Sequence, residues 1–127
     1  MKKEIDMSEI EKILKESHNL GIKNSVNFIV GHPLEEDEDV NEAINFLRKN
    51  ISISQINLSR FALMYDSYIF NHPEEYKITN LKNCEFPLTY IFDDTRYDHK
   101  ERMIKTIDTI NKIKKLFQNK AKINISI

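Results

Sequence analysis

Hydrophobic residues first recur at helical spacing in residues 8–19, where Ile10, Ile13 and Leu14 form one stripe. Ser8 and Glu11 stand at the separation of a capping box and Gly21 supplies a stop, so the pattern predicts a helix over 8–19. The period then shortens to two. Val26, Phe28 and Val30 alternate with Ser25, Asn27 and Ile29 until Gly31 and Pro33 end the run, which predicts a strand over 25–30. Helical spacing returns at Val40, Ala43, Ile44 and Leu47. These follow the acidic run 35–39, which falls in the first turn, where the helix dipole favours negative charge. A second alternation over 55–61 sets Ile56, Leu58 and Arg60 against Gln55, Asn57, Ser59 and Phe61. Strand, helix and strand in this order make a βαβ unit, whose crossover predicts a parallel pair.

Parallel strands usually have both faces covered and read as nearly continuous apolar runs, whereas each of these carries one polar row. Such a row suits the inside of a barrel near a ligand, with the apolar row packed on outer helices. Beyond Phe61 the periodicity fades. Asp66-Ser67 and His72-Pro73 are turn signals, and residues 86–92 read as a short strand broken by Pro87. A long helix is expected over about 94–119, with Met103, Ile107, Ile110 and Phe117 as its stripe and Ile104 and Ile113 alongside. The tail, KINISI, alternates again and predicts a strand added to a sheet edge, within the chain or on another copy. The fold class is therefore α/β: a partial (β/α) barrel fragment with two parallel strands joined by a helix, plus a long C-terminal helix. Residues 1–78 form the barrel part and 79–127 an extension with a short strand, the long helix and the edge-strand tail.

Composition narrows the chemistry. The chain has 127 residues, which is room for one core. Its 19 basic and 20 acidic side chains give no global field for nucleic acid or anionic lipid. No apolar run is long enough to span a bilayer, and the first residues have no apolar leader, so a cytoplasmic protein without nucleic-acid or membrane partners is expected. One cysteine, Cys84, excludes an internal disulfide, a CxxC pair and a self-contained iron–sulfur site. His18, His32, His72 and His99 lack metal-ligand spacing and read as surface or cap residues. The acidic run reads as a solvated helix start rather than a carboxylate pair. Lys105, Lys112, Lys114, Lys115, Lys120 and Lys122 read as a solvated helix face. GxSxG, GxxxxGKS/T and GxGxxG are all absent.

One place remains informative. At Val30-Gly31-His32-Pro33-Leu34-Glu35 a strand delivers a glycine and a proline turn directly into a helix start. A glycine at the C-terminal end of a parallel strand lets a ligand approach the backbone. A tight strand-to-helix turn without a ligand explains the same residues equally well.

Residues 20–78 resemble the C-terminal half of the radical S-adenosylmethionine domain, in the version found in cobalamin-dependent and related radical enzymes. That pattern runs GI, FIxGxPGETxED, a helix with a TxxF-like core, a strand ending near spF, then GSPxY and NPExYGI. Here Gly21-Ile22, Phe28-Ile29-Val30-Gly31-His32-Pro33, Glu35, Glu38, Asp39, Phe46, Phe61, Ser67 and Pro73-Glu74-Glu75-Tyr76-Lys77-Ile78 follow in the same order. Both glycines of the chain fall on pattern positions. Leu34, Glu36, Asp66 and Tyr68 depart from it, standing where the family has glycine, threonine, glycine and proline, so a reshaped turn is expected at Leu34.

The resemblance implies that the strand before Gly31 is the fifth of a partial six-stranded barrel. Ile29 and Gly31 would lie at the adenine side of the cofactor, Pro33 and Glu35 would join them in binding it, and Asn57, Ser59 and Phe61 would line the lumen. S-adenosylmethionine and a 4Fe–4S cluster are implied for the complete enzyme, with neither expected on this chain alone, since the CxxxCxxC loop is absent. The chain begins where the fourth helix of the barrel is expected. The partner implied is the missing N-terminal half of the barrel, or a second copy in a homo-oligomer. Two alternatives stay open: a non-enzymatic interaction module that self-associates through an exposed sheet edge, and a small enzyme with a site around Gly31, Glu35 and Asn57.

Overall fold

Alternation of apolar and polar residues produces the central feature, a parallel sheet with one apolar and one polar face. The computed structural model describes residues 6–50, 52–83 and 88–126. Helix α1 (Met7–Asn19) leads into β1 (Asn24–Val30), and α2 (Asp37–Lys49) connects it to β2 (Ile53–Arg60). The two strands pair in parallel, Asn27 opposite Asn57 and Ile29 opposite Ser59. The tail forms β6 (Lys122–Ser126), which lies parallel on the other side of β2 and sets Asn124 opposite Asn57. The order β1-β2-β6 therefore gives a three-stranded parallel sheet, and among the described residues it does not close into a barrel. The edge strand expected of the tail is found within the chain.

The apolar row carries the core. Val30, Ile56 and Leu58 are buried against Leu14 of α1, Ile44 and Leu47 of α2, and Ile110, Ile113 and Phe117 of α4 (His99–Phe117). Burial of each such side chain contributes about 1.5–3 kcal/mol, so this cluster fixes the helices to a single face. Between β2 and α4 runs a second, antiparallel sheet of order β3-β5-β4, made of β3 (Leu63–Met64), β4 (Ile78–Asn83) and β5 (Thr89–Asp94). A one-turn helix α3 (Tyr68–Asn71) and a 3-10 turn (Pro73–Tyr76) fill the chain between β3 and β4. This region was expected to be irregular, because its alternation is interrupted by turn residues. The strand expected over 86–92 is found as β5, and its proposed break at Pro87 lies outside the described residues, as does Cys84.

Several boundaries differ for local reasons. The α1 cap is Asp6, whose carboxylate accepts from the Ser8 N–H at 3.0 Å, so Ser8 lies inside the helix; Ile13 points outward, 60% exposed. Helix α4 starts at His99 rather than near 94. Asp94 is the last residue of β5 and accepts the Arg96 and Tyr97 N–H groups, while Asp98 forms a capping box with Glu101. The buried stripe of α4 is Arg102, Thr106, Ile110, Ile113 and Phe117. Ile104 and Ile107, expected on or beside it, are exposed. The helix is rolled so that Arg102 and Thr106 meet the second sheet and the β1 turn. No helix among the described residues is long and apolar enough to cross a membrane.

Candidate functional site

The polar face of the parallel sheet is built by side-chain parity. Because parallel neighbours lie in register, Asn27, Asn57 and Asn124 form one row across three strands. The Asn57 amide donates to Asn27 Oδ1 at 2.6 Å and to Ser25 Oγ at 3.1 Å. Its own Oδ1 accepts from Asn124 at 3.0 Å and from Gln55 at 3.0 Å. Ile29, Ser59 and Ser126 form the next row towards the strand ends, with Ile29 63% exposed. The face therefore presents fixed amides and hydroxyls around one apolar side chain. Phe61 leaves it: its N–H continues the pairing with Val30 O at 2.8 Å, and its ring packs edge-on to His32 and Phe92.

The turn after β1 faces elsewhere. Gly31 has φ of +96°, and a Cβ there would stand 2.6 Å from Thr106 Oγ1, so its freedom serves the close approach of α4. The Gly31 N–H donates to Glu35 Oε2 at 3.3 Å. Burial pushes the Glu35 carboxyl up, and the Gly31 hydrogen bond, Lys105 and Arg96 only partly oppose this. Pro33 is fully buried and its carbonyl accepts from Arg96 at 2.7 Å. Arg96 also pairs with Glu36 at 3.0 Å, and Lys105 with Asp37 at 2.9 Å. Four of the five acids act as the helix start they were expected to be, Glu36 as N-cap, Asp39 as its capping-box partner, and Asp37 and Glu38 in the first turn. The glycine required at positive φ is Gly31, and Leu34 does not enter that region.

The six residues singled out thus fall into two groups. Ile29, Asn57 and Ser59 share the open polar face. Gly31 and Glu35 lie against α4, with Thr106 occupying the space beside Gly31, and Pro33 is buried next to Arg96.

Compared with protein-family models, with curated proteins and with solved structures, the chain has no significant match.

Sequence reasoning missed the buried ion pair that joins the second sheet to α4. Arg102 Nη2 donates to Asp94 Oδ2 at 3.1 Å and to Tyr97 O at 3.3 Å, Nη1 donates to Phe92 O, and the guanidinium lies over the Phe92 ring at 3.8 Å. An arginine inside an apolar stripe was the only available signal. Three of the four histidines are engaged with aromatic rings or a helix start: His32 is edge-on to Phe61 and Tyr76, His72 stacks on Tyr68 at 4.1 Å, and His99 opens α4, while His18 lies in the last turn of α1. Burial holds His32 below the ordinary imidazole range. Among the described residues no three His, Cys, Asp or Glu side chains gather as a metal ion would require.

Proposed function

We propose that the chain serves as the closing wall of a partial barrel of the radical S-adenosylmethionine type, acting with a companion segment or subunit that carries the iron–sulfur loop, and that it is inactive alone. The observation that carries this reading is the uncovered polar face. Parallel sheets are ordinarily covered on both sides, and here α1, α2 and α4 all lie on one side while the Asn27–Asn57–Asn124 row is left open. A barrel keeps its helices outside a parallel sheet, and an inward polar row suits the part of its wall near a ligand.

The residues fit the nucleoside part of the implied cofactor only on this face. Ile29 offers apolar surface to a purine; the Asn57 amide is taken up by Asn27, Ser25, Asn124 and Gln55, so an adenine edge would be met by the flanking amides of Asn27 and Asn124. The Gly31 side does not fit, because Thr106 fills it. The cluster does not fit either: a single cysteine cannot hold it, so its ligands must come from the companion. When bound, the cofactor and cluster would supply the radical chemistry, and this chain would supply a wall that orients the nucleoside.

Titrating the chain with S-adenosylmethionine is expected to shift the amide signals of Ile29, Asn57 and Ser59 and the Asn27 and Asn124 side-chain amides in proton–nitrogen correlation spectra. Shifts absent from this face, or confined to the second sheet, would count against the reading. Anaerobic cluster reconstitution of the chain alone is expected to give no cleavage of S-adenosylmethionine.

A second reading, a non-enzymatic module completed by its own copy, is favoured by the outer edges of β1 and β6, which pair with no strand among the described residues. It expects a dimer in sedimentation velocity at micromolar concentration. A monomer there removes it.

A further inference from the structure

The cavity between the strand ends and the second sheet collects positive charge that the described residues leave partly unneutralised. It measures about 150 Å³ and is walled by Phe61, Leu63 and Phe92, with Arg60, His99 and Arg102 supplying polar surface. Arg60 is the last residue of β2, so it stands at the C-terminal end of a parallel strand, the end at which open α/β sheets bind ligands. Among the described residues no carboxylate lies within 4.0 Å of its guanidinium. Its hydrogen bond runs to Met103 Sδ at 3.4 Å, and a thioether is a weak acceptor.

Arg102 lines the same cavity. The residue is 7% exposed, and its Nε–H is buried with no partner among the described residues although both Nη atoms are engaged. An unpaired buried donor is costly, and this one adds positive charge behind the cavity wall without opening onto it. His99 is held below the ordinary imidazole range, first by burial and then by the charges of Arg102 and Arg60, which outweigh Asp93 and Asp98. The cavity thus has a cationic end and apolar, partly aromatic walls. A cavity of about 150 Å³ with apolar walls accommodates a body the size of benzene.

We propose that this cavity binds a small organic carboxylate whose apolar body is about as large as one benzene ring, with its oxygens on Arg60 and the charge of Arg102 behind the cavity wall. A planar guanidinium matches a carboxylate in geometry as well as charge. The cavity contains none of the residues of the open polar face, so this site stands or falls apart from the barrel-wall reading.

Benzoate is the probe. Titrated into the intact chain, it is expected to shift the Nε–Hε signals of Arg60 and Arg102 and the amides of Phe61, Phe92 and Met103. Arg60→Gln is expected to weaken benzoate binding about tenfold or more, the loss of a charge-assisted contact. Should that variant fail to fold, the two arginine signals of the wild-type protein decide the matter alone. Inorganic phosphate binding as tightly as benzoate would overturn the organic body, and toluene binding as tightly would overturn the carboxylate. Benzoate leaving both Nε–Hε signals unmoved would overturn the site.

Discussion

Replacing Arg102 by methionine is expected to destabilise the fold by about 3 kcal/mol or more, read as a lower urea midpoint at neutral pH, because it strands a buried carboxylate. Asp94 is only 8% exposed and loses its one cationic partner among the described residues, while the Phe92 carbonyl loses the Arg102 donor. The N–H groups of Arg96 and Tyr97 still reach Asp94 at 2.8 Å, which keeps the loss towards the lower end of the range for broken buried pairs.

The effect has a pH signature. Burial pushes the Asp94 carboxyl up, but the Tyr97 and Arg96 N–H groups and the Arg102 guanidinium outweigh it and hold the carboxyl below its ordinary 3.8. A group whose folded-state pKa is depressed contributes stability that is complete above the ordinary value and is lost as pH falls through the depressed one. Removing Arg102 raises the folded-state pKa. The gap between wild type and Arg102→Met is therefore widest at neutral pH and narrows as pH falls through the variant's raised value and then through the depressed one of the wild type. Asp94→Asn added to Arg102→Met is expected to recover part of the loss by removing the stranded charge. A loss under about 1 kcal/mol at neutral pH, or a gap that widens in acid, would show that the pair does not hold the second sheet to α4.

Gly31→Ala is expected to cost about 2–4 kcal/mol, from two separable causes. The backbone φ of +96° disfavours any L side chain, and the new Cβ would stand 2.6 Å from Thr106 Oγ1, with Thr106 Cγ2 at 3.6 Å. Thr106 is 2% exposed and β-branched within a helix, so it has little freedom to turn aside. The double variant Gly31→Ala/Thr106→Ala separates the causes. Compared with Thr106→Ala alone, the glycine substitution is expected to cost only its backbone part, about 1–2 kcal/mol. Thermal or urea unfolding of the four proteins completes the cycle. An equal cost in both backgrounds would remove the close approach of α4 as the reason for this glycine.

These two residues also mark where sequence reading stops. The parallel pairing of β1 and β2 was legible because two alternating runs flank a helical one, and a strand–helix–strand order leaves little topological choice. The open polar row was legible for the same reason, since parity alone puts Asn27, Ile29, Asn57 and Ser59 on one side. That Gly31, Pro33 and Glu35 belong to a different surface was not. The left-handed Gly31 turns the chain away, and Thr106, the residue that fills the space beside it, lies far along the sequence in α4.

By itself the sequence determined the local periods, hence the parallel strand pair, its amphipathic faces and the helices that flank it. Periodicity along α4 also announced a helix but misjudged its rotation, because the roll of a helix is set by what it packs against. Only the tertiary structure decided that Arg102 and Thr106 turn inward while Ile104 and Ile107 face solvent, and that β6 joins β2 within the chain. The physical reason is range. Backbone period and capping act over a few residues, whereas burying a guanidinium against Asp94, or a threonine against Gly31, depends on contacts that exist only once the separate elements have come together.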